Sequence, residues 1–229
     1  MTVGPMLGAV AFAHLFLAQI VLQEKARPTP SEWSASGAYL GYGLGAFDYP
    51  GKLRVQRVSA PDKHHVVLFE GYYVFVSSHG KRLVGKKEWF FSTLSEVLWS
   101  PDSSAFAITR SDGGWVGSWD VEVFFFPAGR LKKTDVSAQA KRDARTLYKC
   151  GSSDERGNEE PNIGAVQWIA GSSELLIVAE VPPHSSCPEM GKLFGYIVSV
   201  PSGKILRRFD DQQLRASWGN LFGERLRHR

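Results

Sequence analysis

One phrase recurs three times and constrains the fold more than any other feature of the chain. Ser59-Ala60-Pro61-Asp62 leads to Val66-Val67-Leu68, Trp99-Ser100-Pro101-Asp102 leads to Phe106-Ala107-Ile108, and Trp168-Ile169-Ala170-Gly171 leads to Leu175-Leu176-Ile177. Each copy runs on to a turn built on glycine and a basic residue: Gly80-Lys81, Gly129-Arg130 and Gly203-Lys204. A repeated strand–turn–strand unit must stack on its neighbours, because one such unit cannot bury its apolar face alone. The apolar segments are short, rich in Val, Ile and aromatics, and bounded by Gly, Pro, Asp and Ser, which is the pattern of antiparallel meanders. The predicted fold is therefore all-β: three blade-like β-meander repeats over 52–209, with a β-sandwich as the alternative.

The spacing of the copies is uneven. Pro61 and Pro101 lie 40 residues apart, whereas Trp99 and Trp168 lie 69 apart. The surplus is an insertion over 137–162, whose first half has helix-forming composition and whose second half is a polar, acidic loop. A second excursion, Val181 to Gly191, lengthens the hairpin of the third repeat. These two excursions carry Cys150 and Cys187, the only cysteines of the chain. A disulfide between them would pin two long loops together and implies an oxidising compartment.

Two flanking segments differ in character. Pro5 to Leu22 is apolar apart from His14 and Gln19, so residues 1–26 suit a signal peptide or an N-terminal membrane anchor. Residues 27–51, with Pro28, Pro30 and a Gly/Tyr-rich stretch, suit a linker and an irregular lead-in to the sheets. After Asp210 the apolar residues Leu214, Trp218, Leu221, Phe222 and Leu226 recur at helical spacing among arginines. Residues 210–229 therefore form a basic amphipathic helix, either packed on the β domain or touching a membrane or partner. The net charge of +4 resides wholly in this end: Lys204 to Arg229 holds seven Lys/Arg against three Asp/Glu. A neutral body with a basic tail argues against a nucleic-acid groove across the fold.

The run Val97-Leu98-Trp99-Ser100-Pro101-Asp102-Ser103-Ser104-Ala105-Phe106-Ala107-Ile108, followed by Trp119-Asp120-Val121-Glu122-Val123, resembles the TolB-type, WD-like β-propeller repeat of exported bacterial proteins. In that repeat Pro fixes the turn, Asp caps the turn amides, and the apolar strand faces the neighbouring sheet. The resemblance implies blades and export. Three blades do not close a ring, so either the Gly/aromatic N-terminal segment builds another, or the sheets stay open or pair with a second chain.

Catalytic motifs are missing: there is no G-x-S-x-G, no phosphate loop and no H-E-x-x-H. No catalytic, cofactor or metal residue is assigned. His64, His65 and His79 fall in turns, where solvation is the ordinary fate of a histidine. His184 with the two cysteines lacks a partner pair for a metal, and Asp154, Glu155, Glu159 and Glu160 match no calcium loop. Trp115 and Trp119 belong to a Gly-rich hairpin around 112–118 and are the candidate binding surface, the alternative being that they pack across the hairpin. The functional expectation is an exported or anchored, periplasmic or extracellular, non-enzymatic domain. It would bind a protein or cell-envelope component, with membrane contact through its N-terminal segment and no nucleic-acid partner. The alternative is a hydrolase in which Glu70, Asp102, Asp120 or Glu180 converge as paired carboxylates.

Overall fold

The computed structural model describes residues 31–40, 47–48, 52–53, 55–70, 73–83, 88–89, 94–111, 118–150 and 159–227. The segment 1–26 read as a signal or anchor lies outside these residues. Among the described residues no helix is long and apolar enough to cross a membrane.

The strands follow the repeats. β1 (Ala38–Tyr39) precedes a two-stranded pair, β2 (Phe47–Asp48) and β3 (Lys52–Leu53). The first repeat forms a sheet from β4 (Val55–Ser59), β5 (His65–Glu70), β6 (Tyr73–Ser78) and β7 (Lys81–Arg82), with β8 (Glu88–Trp89) also on β6. The second comprises β9 (Leu94–Trp99), β10 (Ala105–Ser111), β11 (Trp119–Phe125) and β12 (Lys132–Asp135), and β1 adds to its inner edge beside β9. The third comprises β13 (Asn162–Trp168), β14 (Glu174–Glu180), β15 (Leu193–Ser199) and β16 (Ile205–Phe209). All pairings are antiparallel, and within each repeat the strands pair in chain order except for β8, which returns to β6. The expected fold of three antiparallel meanders is what the chain adopts, and among the described residues the sheets close no barrel.

The sheets stack face to face, and the period of two decides which residues meet. Val67, Phe69, Val74 and Val76 of the first sheet pack on Val97, Phe106, Ile108 and Phe124 of the second. The opposite face of the second, with Ala105, Ala107, Val121 and Val123, packs on Leu175, Ile177 and Ala179 of the third. The remaining face of the third, Val166, Leu176, Val178 and Ile197, is covered by Leu214, Phe222 and Leu226. Sheets two and three are thus buried on both sides, which explains why β14 is a nearly unbroken apolar run. Phe124 and Phe125 likewise point to opposite sides of β11.

Helices finish the ends. α1 (Ala138–Ala144) occupies the first half of the insertion and buries Ala140 and Ala144 against the second and third sheets. α2 (Asp211–Trp218) begins at Asp210, whose carboxylate accepts the Gln213 N–H while the Gln213 side chain accepts the Asp210 N–H. α3 (Glu224–Arg227) follows. The apolar stripe of this C-terminal region lies on the third sheet, so the fold itself uses the face considered for membrane contact. Cys150 and Cys187 form the expected disulfide, tying the two excursions together across 37 positions. A loop of that length contributes roughly 3–4 kcal/mol in the chain-entropy treatment.

Within the segment 27–51 read as a linker and lead-in, the described residues Glu32 to Ser34 are fastened to the sheets. Trp33 and Ser34 are fully buried. The reason is Glu96 on β9, whose Oε2 accepts the N–H groups of Glu32 (2.7 Å) and Trp33 (3.0 Å) and whose Oε1 accepts that of Ser34 (2.8 Å). Trp33 then lies over the backbone of Gly164, where a Cβ would sit 1.8 Å from its ring. Only glycine permits that approach.

Candidate functional site

The three repeats are joined by one contact made twice. The Trp99 indole N–H donates to the Val58 carbonyl at 3.1 Å, and the Trp168 indole N–H donates to the Leu98 carbonyl at 3.0 Å. Val58 and Leu98 each precede the same position of their repeat, so each tryptophan reaches the equivalent carbonyl of the repeat before it. The turns are bridged at the same repeat position by two different bonds. Ser103 Oγ accepts the Asp62 N–H at 3.1 Å, and the equivalent Ser172 hydrogen-bonds to Asp102. Burial pulls the Asp102 carboxyl upward, but the donors of Ser100, Ser104 and Ser172 outweigh it and hold it at about 2. It remains an ionised turn cap at any physiological pH.

These contacts draw the turn ends of β4, β9 and β13 around a cleft of about 480 Å³. Val58 and Pro61 come from the first repeat, Val97, Trp99 and Pro101 from the second, and Gln167 from the third. No charged residue lines it among the described residues. Ser59, Pro61 and Pro101 are exposed at its rim, and Trp99 is half-buried. Such a concave, apolar surface with few polar groups suits an uncharged ligand or segment. Among the described residues β4 and β13 each pair on one side only, and on their other side the Val58 carbonyl is held by Trp99 and the Ala165 N–H by Thr109 Oγ1 (2.9 Å).

A second cavity, of about 400 Å³, lies between α1 and β10–β12 and is charged. Its carboxylates are spoken for. Asp120 pairs with Lys141, Glu122 with Lys133 (3.1 Å) and Arg110 (3.5 Å), and Glu160 with Arg145 (2.6 Å).

The residues nominated from sequence fall in different places. Trp115 lies outside the described residues. Trp119, expected at an exposed loop tip, is instead 4% exposed. It meets Trp33 edge-on at 5.7 Å, and the Arg225 guanidinium lies 5.1 Å from the Trp33 ring and 5.3 Å from that of Trp119. Its partners come from both ends of the chain, and they turn a hairpin tryptophan into core. Nor do the four carboxylates converge. Asp102 precedes β10, while Asp120 pairs with Arg110, five residues beyond the start of that strand at Ala105, about 17 Å along it at strand rise. Glu180 is fully buried and accepts from Arg225 Nη2 (2.7 Å) and Nε (2.8 Å) and from Asn162 Nδ2 (3.4 Å). The Glu70 side chain lies outside the described residues. Among the described residues no three His, Cys, Asp or Glu side chains are placed to hold a metal ion.

Two buried carboxylates, Glu96, which sequence reasoning missed, and Glu180, which it nominated for catalysis, fasten the N- and C-terminal segments to the sheets. Burial pushes the Glu96 carboxyl up to about 7, against the pull of its three N–H donors. Its pKa is thus raised from 4.5, so the folded state binds the extra proton between pH 4.5 and 7. Stability therefore falls as pH rises through that window, by on the order of 3 kcal/mol. Denaturant titrations at pH 5 and pH 8 will show this loss, and Glu96→Gln, which stays neutral, will flatten it. Compared with known proteins, the chain matches no family model, no curated protein and no solved structure.

Proposed function

We propose that this protein is an exported β-repeat domain that binds an extended, uncharged, apolar segment of a protein or cell-envelope component in the inner-strand cleft. The observation that carries the reading is the cleft itself: three repeats contribute to one charge-free apolar surface with Trp99 at its wall. The exposed large hydrophobics of the described surface elsewhere, Leu147, Met190 and Leu206, are scattered singly and offer no comparable patch. The Cys150–Cys187 disulfide supports a periplasmic or extracellular setting, and so does the resemblance to TolB-type repeats. Membrane contact through residues 1–26 belongs to the same proposal. The alternative of a hydrolase built on paired carboxylates loses support because Asp120 and Glu180 are engaged in ion pairs.

Titration of the oxidised protein with short extended peptides, followed by tryptophan fluorescence, tests the binding. Apolar, uncharged peptides will bind saturably, while lysine-rich and glutamate-rich peptides of equal length will not. Ser59→Arg places a charge at the exposed rim and will weaken binding about tenfold or more, the cost of desolvating an unpaired charge, with thermal stability unchanged. Equal binding of all three peptide classes would refute the assignment.

A further inference from the structure

The first repeat carries a relay of side chains that the other two lack. His65 opens β5 and pairs directly with Ser78 at the end of β6, which sets both side chains on one face of the sheet. Ser78 Oγ lies 3.0 Å from His65 Nε2, and His65 Nδ1 lies 2.5 Å from Asp62 Oδ2. Asp62 Oδ1 accepts the N–H groups of His64 (2.8 Å) and His65 (3.0 Å), which fixes the carboxylate. The His65 ring stacks on Phe126 at 4.9 Å, which fixes the imidazole.

The protonation pattern follows from the partners. Partial desolvation pulls the Asp62 carboxyl up, but the backbone and ring donors of His65 and the His64 N–H outweigh it and hold it at about 2. An ionised carboxylate only accepts, so Nδ1 carries a proton. In the neutral ring Nε2 is then a bare lone pair, and the Ser78 hydroxyl donates to it. Asp62 and His65 keep 31% and 21% of their side chains exposed, so solutes reach the relay.

The turn does not require these residues. In the second repeat the equivalent positions are Asp102, Ala105 and Phe125, and in the third they are Gly171, Glu174 and Ser199. Both turns close without a histidine, and Asp102 is satisfied by Ser100 and Ser104. His65 and Ser78 are therefore additions to the repeat rather than parts of it.

We infer that Asp62, His65 and Ser78 form a nucleophilic relay that makes Ser78 reactive toward carboxylic esters. Ser78 Oγ adds to the ester carbonyl carbon as its proton passes to His65 Nε2. The bond to the alcohol oxygen breaks, and the departing alkoxide takes that proton. Water, deprotonated by Nε2, then cleaves the acyl-serine, releases the carboxylic acid and restores the Ser78 hydroxyl. Asp62 stays ionised and holds the imidazolium. Ser78 itself stands on β6, two strands from the β4 edge that lines the cleft, roughly 10 Å away.

Reaction of the full-length oxidised protein with a fluorophosphonate probe, read by intact mass and peptide mapping, tests the inference. One adduct is expected, on Ser78. Ser78→Ala will abolish it and His65→Gln will slow it by about 100-fold or more. Ser77→Ala, on the opposite face of β6, will react like the wild type. Hydrolysis of p-nitrophenyl acetate will follow the same order. Near-UV circular dichroism of each variant separates lost reactivity from lost structure, and Ser78→Ala removes only a hydroxyl. No adduct on Ser78 in the wild type, or equal ester hydrolysis by Ser78→Ala, would overturn the inference and leave the relay as a turn fastener.

Discussion

Replacing Arg225 with methionine will lower the stability of the oxidised protein by about 3–5 kcal/mol, as measured by denaturant unfolding. Glu180 is fully buried, and both contacts from Arg225 fall on its Oε2. Removing the guanidinium leaves a carboxylate in the core without its counter-charge, which costs far more than the pair is worth as a pair. The same substitution strips the cation from between Trp33 and Trp119. The double variant Glu180→Gln with Arg225→Met removes both charges and will recover more than half of the loss. If the double variant is no better than the single one, buried charge is not the cause.

Trp168→Ala will cost a similar amount, about 3–5 kcal/mol, because it empties a large site between the second and third sheets. Trp168→Phe keeps most of the ring and deletes only the hydrogen bond to Leu98, so it will cost about 1 kcal/mol. Trp99→Phe will cost a comparable small amount, since Trp99 makes the equivalent bond to Val58. The parallel between the two phenylalanine variants is the check on repeat equivalence. A large effect at one position and none at the other would mean that the two contacts are not the same joint.

Both variants show why parts of the fold were legible in the sequence and others were not. The meanders, α1 and the start of α2 depend on signals within a few residues: period-two alternation, Pro and Gly at turns, and Asp210 three places before Gln213. The disulfide was legible because two cysteines allow one pairing and each sits on an interruption of the repeat. The network around Trp33 is different. Trp33 is held by Glu96, Gly164, Trp119 and Arg225, partners spread over nearly the whole chain, so no local pattern announces it. Trp119 is hidden from local reading for the same reason, since residues from both ends of the chain pack over it. Glu96 stands at an inward position of a strand, which local reasoning treats as an error and the structure uses as a fastener. The His65–Ser78 contact depends on cross-strand register, and thirteen positions of chain separate its partners. The cleft needs three repeats to be placed before it exists at all.

The cleft is also where the account is most exposed to test. A photo-crosslinking amino acid placed at Ser59, on its rim, and in a second protein at Leu206, an exposed apolar position on the outer strand of the third sheet, can be activated in the presence of the apolar peptide. The account predicts a covalent adduct from position 59, competed away by unlabelled peptide, and none from position 206. An adduct from position 206 alone, or none from position 59, would contradict it.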